Sequence, residues 1–210
     1  MRTVAGKIAA TESTLMKTFY LSLPAIALLA ACGGGSTGVG NAPQFTTLDG
    51  AVDELGFFID KAERLDPTPV ANLPTSGSAE YEGVFSLGRI FERFPNDPNP
   101  QLDNPLVGEV DLDVNFAQNT VTGDADNFFG ENGAVSGQLA ITAGQIDRSG
   151  PDLFWDAEVN GNLPINGAQR TVEGDVFGGF SGNRSQFIGG LFLGEASDGS
   201  PLIGSILADD

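Results

Sequence analysis

The sequence predicts an all-β protein: an eight-stranded, antiparallel, up-and-down β-barrel preceded by one amphipathic helix. Three observations predict it. Apolar and polar residues alternate with period two from Tyr81 to Ile206, with connections that are mostly short. Glycine recurs on the apolar phase of that alternation, as in Tyr81-x-Gly83-x-Phe85, Val121-x-Gly123-x-Ala125, Val135-x-Gly137-x-Leu139, Val159-x-Gly161-x-Leu163 and Leu202-x-Gly204-x-Ile206. A single stretch with helical pitch precedes them.

The chain begins with a targeting pattern. Met16-Lys17 opens a charged region, Thr18 to Leu29 is mostly apolar and too short to span a bilayer, and Leu29-Ala30-Ala31-Cys32 follows. Residues 1–15 lack that character, so Met16 is read as the true start and 1–31 as upstream residues plus signal peptide. Cys32 is the only cysteine, which excludes a disulfide framework. Leu29-Ala30-Ala31-Cys32 resembles the lipobox of bacterial lipoproteins, which implies acylation at Cys32. Burying acyl chains at about 0.8 kcal/mol per CH₂ would anchor the chain to a membrane. Gly33 after the cysteine, rather than aspartate, resembles lipoproteins sent on to the outer membrane, facing periplasm or cell surface.

Residues 32–46 form the anchor and a Gly/Ser-type tether. Helical pitch runs over 47–66: Leu48, Val52, Leu55, Phe58, Ile59, Ala62 and Leu65 form one stripe. Asp49, Asp53 and Glu54 near its start and Lys61 and Arg64 near its end suit the helix dipole, and Pro67 and Pro69 stop it. Such a helix caps a barrel mouth or lies against the wall. A linker, 67–79, leads into a barrel over 80–210. Eight strands are expected at 80–88, 106–117, 119–128, 134–143, 153–163, 169–180, 186–195 and 201–208. Ala117-Gln118-Asn119 reads as a tight hairpin. Arg89 to Pro105, dense in Pro, Asn and Asp, reads as a long irregular loop.

The closing hairpin is the clearest. Val172, Gly174, Val176, Gly178 and Phe180 share one face and Ile188, Gly190, Phe192 and Gly194 answer them, across Ser181-Gly182-Asn183-Arg184-Ser185. Glycine weakens a strand, so its place among inward residues suggests close approach of opposing walls. The expected core is Phe85, Leu87, Val110, Leu112, Val114, Phe116, Leu139, Ile141, Trp155, Val159, Val176, Phe192 and Ile206. A membrane-spanning barrel would invert this pattern, apolar outside and polar within.

These glycine and apolar spacings resemble the C-terminal β-barrel domain of transferrin-binding protein B, found also in factor H-binding protein and in transferrin-binding protein-like lipoproteins. The resemblance rests on Leu73-Pro74-Thr75-Ser76-Gly77-Ser78-Ala79-Glu80-Tyr81-Glu82-Gly83, Val114-x-Phe116, Thr120-Val121-Thr122-Gly123 and the Val172–Gly194 hairpin, and covers 73–210. It implies a surface lipoprotein that binds a protein or small ligand, in nutrient and iron acquisition or host interaction. Transferrin binding itself does not carry over, because the larger relative uses a further N-terminal lobe for that contact.

Composition excludes much else. No histidine is present, which removes Ser-His-Asp and Cys-His catalysis and histidine metal or haem ligation. Tyr81, the one tyrosine after the signal, falls on the inward phase and is no haem ligand. Asp111, Asp113, Asp124 and Asp126 alternate outward, where carboxylates keep ordinary pKa values and do no acid–base work. Asp124 to Gly130 lacks the ligand spacing of a calcium loop. No enzyme activity, catalytic residue, metal or cofactor is expected. The net charge is −18; Arg2, Lys7, Lys17 and Glu12 leave with the signal, so 7 of 10 basic and 27 of 28 acidic side chains remain. Such a chain repels nucleic acid. Acids spread along every strand fit a solvated exterior, and a docking face for a cationic partner is the sharper alternative. The expected partners are the membrane, through acylated Cys32, and a protein or small ligand. Contact is expected at Arg89, Phe91, Arg93 and Phe94, where arginine and phenylalanine interleave in the long loop. The alternative is a structural envelope lipoprotein without a specific ligand.

Overall fold

A computed structural model describes residues 45–91, 101–149, 154–165 and 167–210, with backbone alone at 89–91 and 101–104. The expected signal, lipidation site and most of the tether lie outside these residues. One helix, α1 (Leu48–Arg64), precedes nine strands: β1 (Ser78–Phe91), β2 (Gln101–Asn115), β3 (Thr120–Gly130), β4 (Gly133–Val135), β5 (Gln138–Asp147), β6 (Phe154–Ile165), β7 (Ala168–Ser181), β8 (Phe187–Ala196) and β9 (Pro201–Asp209). Eight of them close a ring in the order β1-β2-β3-β5-β6-β7-β8-β9, with β9 pairing back onto β1. The eight-stranded ring therefore has no free edge, the arrangement that best protects a sheet from edge-to-edge association.

Two expectations need correction. The fourth strand, expected as one run over 134–143, is two. β4 folds back on Phe128–Gly130 of β3, and β5 resumes along Thr120–Ala125. Gly137 makes that break at φ 143, and a side chain there would collide with the Asn162 carbonyl and Leu163. The loop expected over Arg89–Pro105 is shorter than its composition suggests, since β1 continues through Phe91 and β2 begins at Gln101. Pairing of Gly88 and Arg89 with Ile203 and Leu202 draws the chain into the sheet, and Ile90 and Phe91 suit a strand.

The other elements follow their local chemistry. Thr47 caps α1, its hydroxyl accepting from the Gly50 N–H at 3.2 Å, and Leu65 leaves the helix in extended conformation. The β2–β3 turn is held by the Asn115 side chain, which accepts from the Ala117 and Gln118 amides, and Asn119 takes φ 56. The linker is tied down: the Thr68 amide donates to the Phe180 carbonyl and its hydroxyl to the Gly182 carbonyl, both at 2.8 Å.

Every residue of the expected core is buried in one cluster filling the barrel. The glycines serve that cluster, though by a different route from the one expected. A Cβ on Gly174 would lie 2.5 Å from both the Gly194 Cα and the Leu193 carbonyl oxygen, and 2.7 Å from the Phe192 ring. One on Gly108 would meet the Phe128 ring at 2.6 Å, and one on Gly190 would meet Trp155 at 2.9 Å. The obstacles belong to the adjacent strand and to rings lying across it, not to the opposite wall. A ring folded over a neighbouring glycine repairs the packing that the glycine forgoes.

A second, smaller cluster lies outside the barrel. Ala51, Leu55 and Phe58 of α1 pack with Phe45, Val84, Val107, Phe129 and Phe187, with Leu207 at the margin. The helix thus lies on the outer wall, chiefly over β1 and β9, rather than over a mouth.

The face assignment sets a stability contrast. Gly174→Leu is expected to cost about 3 kcal/mol, the upper end of overpacking penalties. Glu173→Gln, one residue away on the exposed face, is expected to change stability by only about 0.5 kcal/mol. Urea melts of the two variants check this, and equal mildness would mean the faces are reversed.

Candidate functional site

The interior is a packed core. Trp155, Tyr81, Phe85, Phe128, Phe180 and Phe192 are all essentially inaccessible. Phe85 meets Phe192 edge-on at 5.5 Å between centroids, and Tyr81 meets Phe180 at 6.2 Å. Eight strands leave room for side chains or for one small ligand, and here side chains occupy it. Tyr81 takes its expected inward place and donates its hydroxyl to the Ser185 carbonyl at 2.5 Å. Burial, then the nearby Asp210 carboxylate, holds its phenol far above the ordinary tyrosine range. It is a structural anchor for the β7–β8 turn, where Arg184 and Ser185 both take positive φ.

Arg148 is a second anchor, and the sequence did not single it out. Its guanidinium donates to Asn119 Oδ1 and to the Pro74 carbonyl, both at 2.6 Å, and more distantly to the Phe116 carbonyl. It stitches the linker to the β2–β3 turn with neutral acceptors, and partial burial lowers its pKa.

The outer surface has two acidic regions of different character. On β2 and β3, Asp111 faces Asp124 and Glu109 faces Asp126 directly across the ladder. Asn127 donates to Glu109 at 2.9 Å and Gln138 to Asp124 at 2.8 Å. Desolvation raises the Asp111 pKa, and Glu82, Asp124, Asp126 and Asp113 add to the rise; desolvation also raises Glu109, against the lowering hydrogen bond from Asn127. The expectation of an ordinary pKa fails at Asp111, first through desolvation and then because antiparallel pairing sets like charges opposite one another. Asp124 to Gly130 continues as strand, and among the described residues no cluster of three or more His, Cys, Asp or Glu is arranged to hold a metal.

On β6–β9 the outward face differs. Across the ladder Asp156 faces Phe177 and Phe177 faces Leu191, while Glu158 faces Asp175, Asp175 faces Leu193, and Leu193 faces Ile203. Phe154 stacks on Phe177 at 6.3 Å. Leu191 and Leu193 are 36% and 42% exposed. Their sequence signal was available: Phe177, Leu191 and Leu193 fall on the wet phase of the closing hairpin, where polar residues belong.

Of the predicted contact residues, Arg89 and Phe91 belong to the last residues of strand β1, and Arg93 and Phe94 lie outside the described residues.

The acidic wall has a pH signature. Asp111 has a folded-state pKa above its unfolded value, so its charged form opposes folding. That penalty is absent at pH below the ordinary carboxylate range and grows as pH rises through the folded pKa. Asp111→Asn is expected to stabilise the protein by about 0.5 kcal/mol at neutral pH and low salt. The gain should vanish below the carboxylate range; thermal melts across pH check it, and destabilisation at neutral pH would contradict it.

Comparisons with known proteins follow this architecture. Residues 73–209 match the family model described as the C-lobe and N-lobe β-barrels of Tf-binding protein B. Among solved structures, the chain is similar to a single mutant of the vaccine antigen transferrin-binding protein B from Haemophilus parasuis Hp5, at 18% identity and TM-score 0.44. A double mutant of the same antigen gives 17% and 0.43. Each match covers 69% of this chain and 28% of the other, so the chain spans little more than a quarter of those proteins. Comparison with curated proteins gives no match. The closed barrel, its glycine-spaced interior and the match over 73–209 place the chain in the family of transferrin-binding protein B lobe β-barrels.

Proposed function

We propose that this chain is an outer-membrane lipoprotein, anchored by acylated Cys32, whose barrel binds a protein partner rather than transforming a substrate. The observation that carries the reading is the union, in one chain, of the Leu29-Ala30-Ala31-Cys32 motif with a barrel of the transferrin-binding protein B family. Supporting it, the filled interior argues against a small ligand held inside, and the outer wall carries the polar and apolar variation on which a protein contact depends. Arg89 and Phe91 at the end of β1, with Arg93 and Phe94 next in sequence, remain the proposed contact residues, since segments between strands of a rigid barrel vary without disturbing its core. The filled interior also favours a second reading, a structural envelope lipoprotein with no specific ligand.

Two variants of the full chain separate these. Cys32→Ala is expected to lose incorporation of a fatty-acid analogue and to leave the membrane fraction; retained labelling would refute the anchor. The paired Arg93→Ala and Phe94→Ala variant is expected to lose capture of the partner held by the wild type while its melting midpoint stays fixed. Retained capture with a lowered midpoint would make these residues part of the rim packing, and absence of any wild-type partner would favour the structural reading.

A further inference from the structure

We propose that the outer wall of β6–β9 is a docking surface for a protein partner presenting an apolar ridge flanked by lysine or arginine. The inference deepens the binding reading above and rests on it. Four features of the wall converge. First, its centre is apolar and open: Leu191 and Leu193 are among the few large hydrophobic side chains that the described residues expose, with Phe57 of α1. Phe177, stacked on Phe154, extends the patch toward β6, and Ile203 extends it toward β9. The alternation puts a polar residue at each of these places unless something covers them.

Second, the rim is acidic and mutually repulsive. Glu158 is opposed to Asp175 and Glu173 to Glu195 across adjacent strands. These carboxylates edge one open depression together with Leu193, Asn160 and Thr171. The one cation on these four strands, Arg170 of β7, falls on the phase of the inward Val172 and pairs with Asp198 at 3.5 Å. Like charges placed opposite one another work against the sheet, and a cationic partner turns that cost into attraction. Third, the β2–β3 acids lack such a centre. Between them lie polar positions, and Asn127 and Gln138 already bond Glu109 and Asp124. Fourth, the wall already carries a precedent. Immediately beside the patch, Leu207 and Val84 are packed against α1, an amphipathic helix whose Lys61 pairs with Asp209 of β9. An apolar stripe with a cation on its flank is therefore a shape this wall accepts. The same charge excludes nucleic acid and anionic lipid as occupants.

The test uses the full chain and a synthetic amphipathic helical peptide of leucine and lysine, with a leucine–glutamate peptide as its counterpart. The wild type is expected to bind the lysine peptide, more weakly as salt rises. The Leu191→Ser, Leu193→Ser pair and the Glu158→Gln, Glu195→Gln pair should each bind about tenfold more weakly with no fall in melting midpoint. The Asp111→Asn, Asp124→Asn pair should bind as the wild type does. Equal binding by the leucine variant, or equal loss in the β2–β3 variant, would reduce the effect to bulk charge and overturn the proposal. So would equal binding of the glutamate peptide, absence of binding, or self-association of the wild type abolished by the leucine variant. A partner captured equally by the wild type and the leucine variant would also overturn this surface while leaving the binding reading intact. Failure of the wild type to capture any partner would instead strike the binding reading itself.

Discussion

The barrel depends on one packing constraint: Trp155, Phe192 and Phe128, large rings inside it, lie against glycines that leave room for them. Trp155 shows the constraint most fully. Its indole crosses from β6 over Gly178 of β7 to Gly189 and Gly190 of β8, and its N–H donates to the Gly189 carbonyl at 3.1 Å. Gly178 and Gly190 face one another in the ladder, and a Cβ on Gly178 would sit 2.5 Å from the Gly190 Cα. Phe192 does the same over Gly174 and Gly194, and Phe128 over Gly108. Glycine costs a strand conformational entropy and a side chain to pack, so these positions are tolerable only because the rings supply the missing surface. Closed curvature, a filled interior and the alternation along each strand all follow from that exchange.

With the interior committed to rings, the outer wall divides into three uses. One strip, from Val84 and Leu207 to Phe129 and Phe187, is covered by α1. A second, on β2 and β3, is dense in carboxylates whose repulsion is moderated by amide side chains. A third, on β6–β9, leaves leucines open within an acidic frame. The apolar inside and carboxylate-bearing outside are the reverse of a barrel facing lipid on its wall.

Most of the fold was legible because its periods are clean. The alternation from Val172 to Gly194 names both faces, and the stripe from Leu48 to Leu65 names the helix. What escaped depends on partners distant in sequence. Nothing local tells that Gly137 ends one short strand and begins another, nor that pairing with Leu202 and Ile203 carries β1 past Arg89. Arg148 looked like one more surface cation until Pro74 and Asn119 came to it from elsewhere in the chain. The candidate surface was half legible. Leu191 and Leu193 stand out of phase in the sequence, but only the register shows that they adjoin Phe177, Asp175 and Ile203.

The chain has a single tryptophan, so its indole N–H gives one unambiguous resonance. Hydrogen exchange at that proton tests the central claim directly. If Trp155 is locked over Gly178, Gly189 and Gly190, its indole exchanges only through global unfolding, with the same free energy as the most protected strand amides and the same dependence on denaturant. Exchange far faster than those amides, insensitive to denaturant, would show the ring to be free of the glycine wall and would contradict the account.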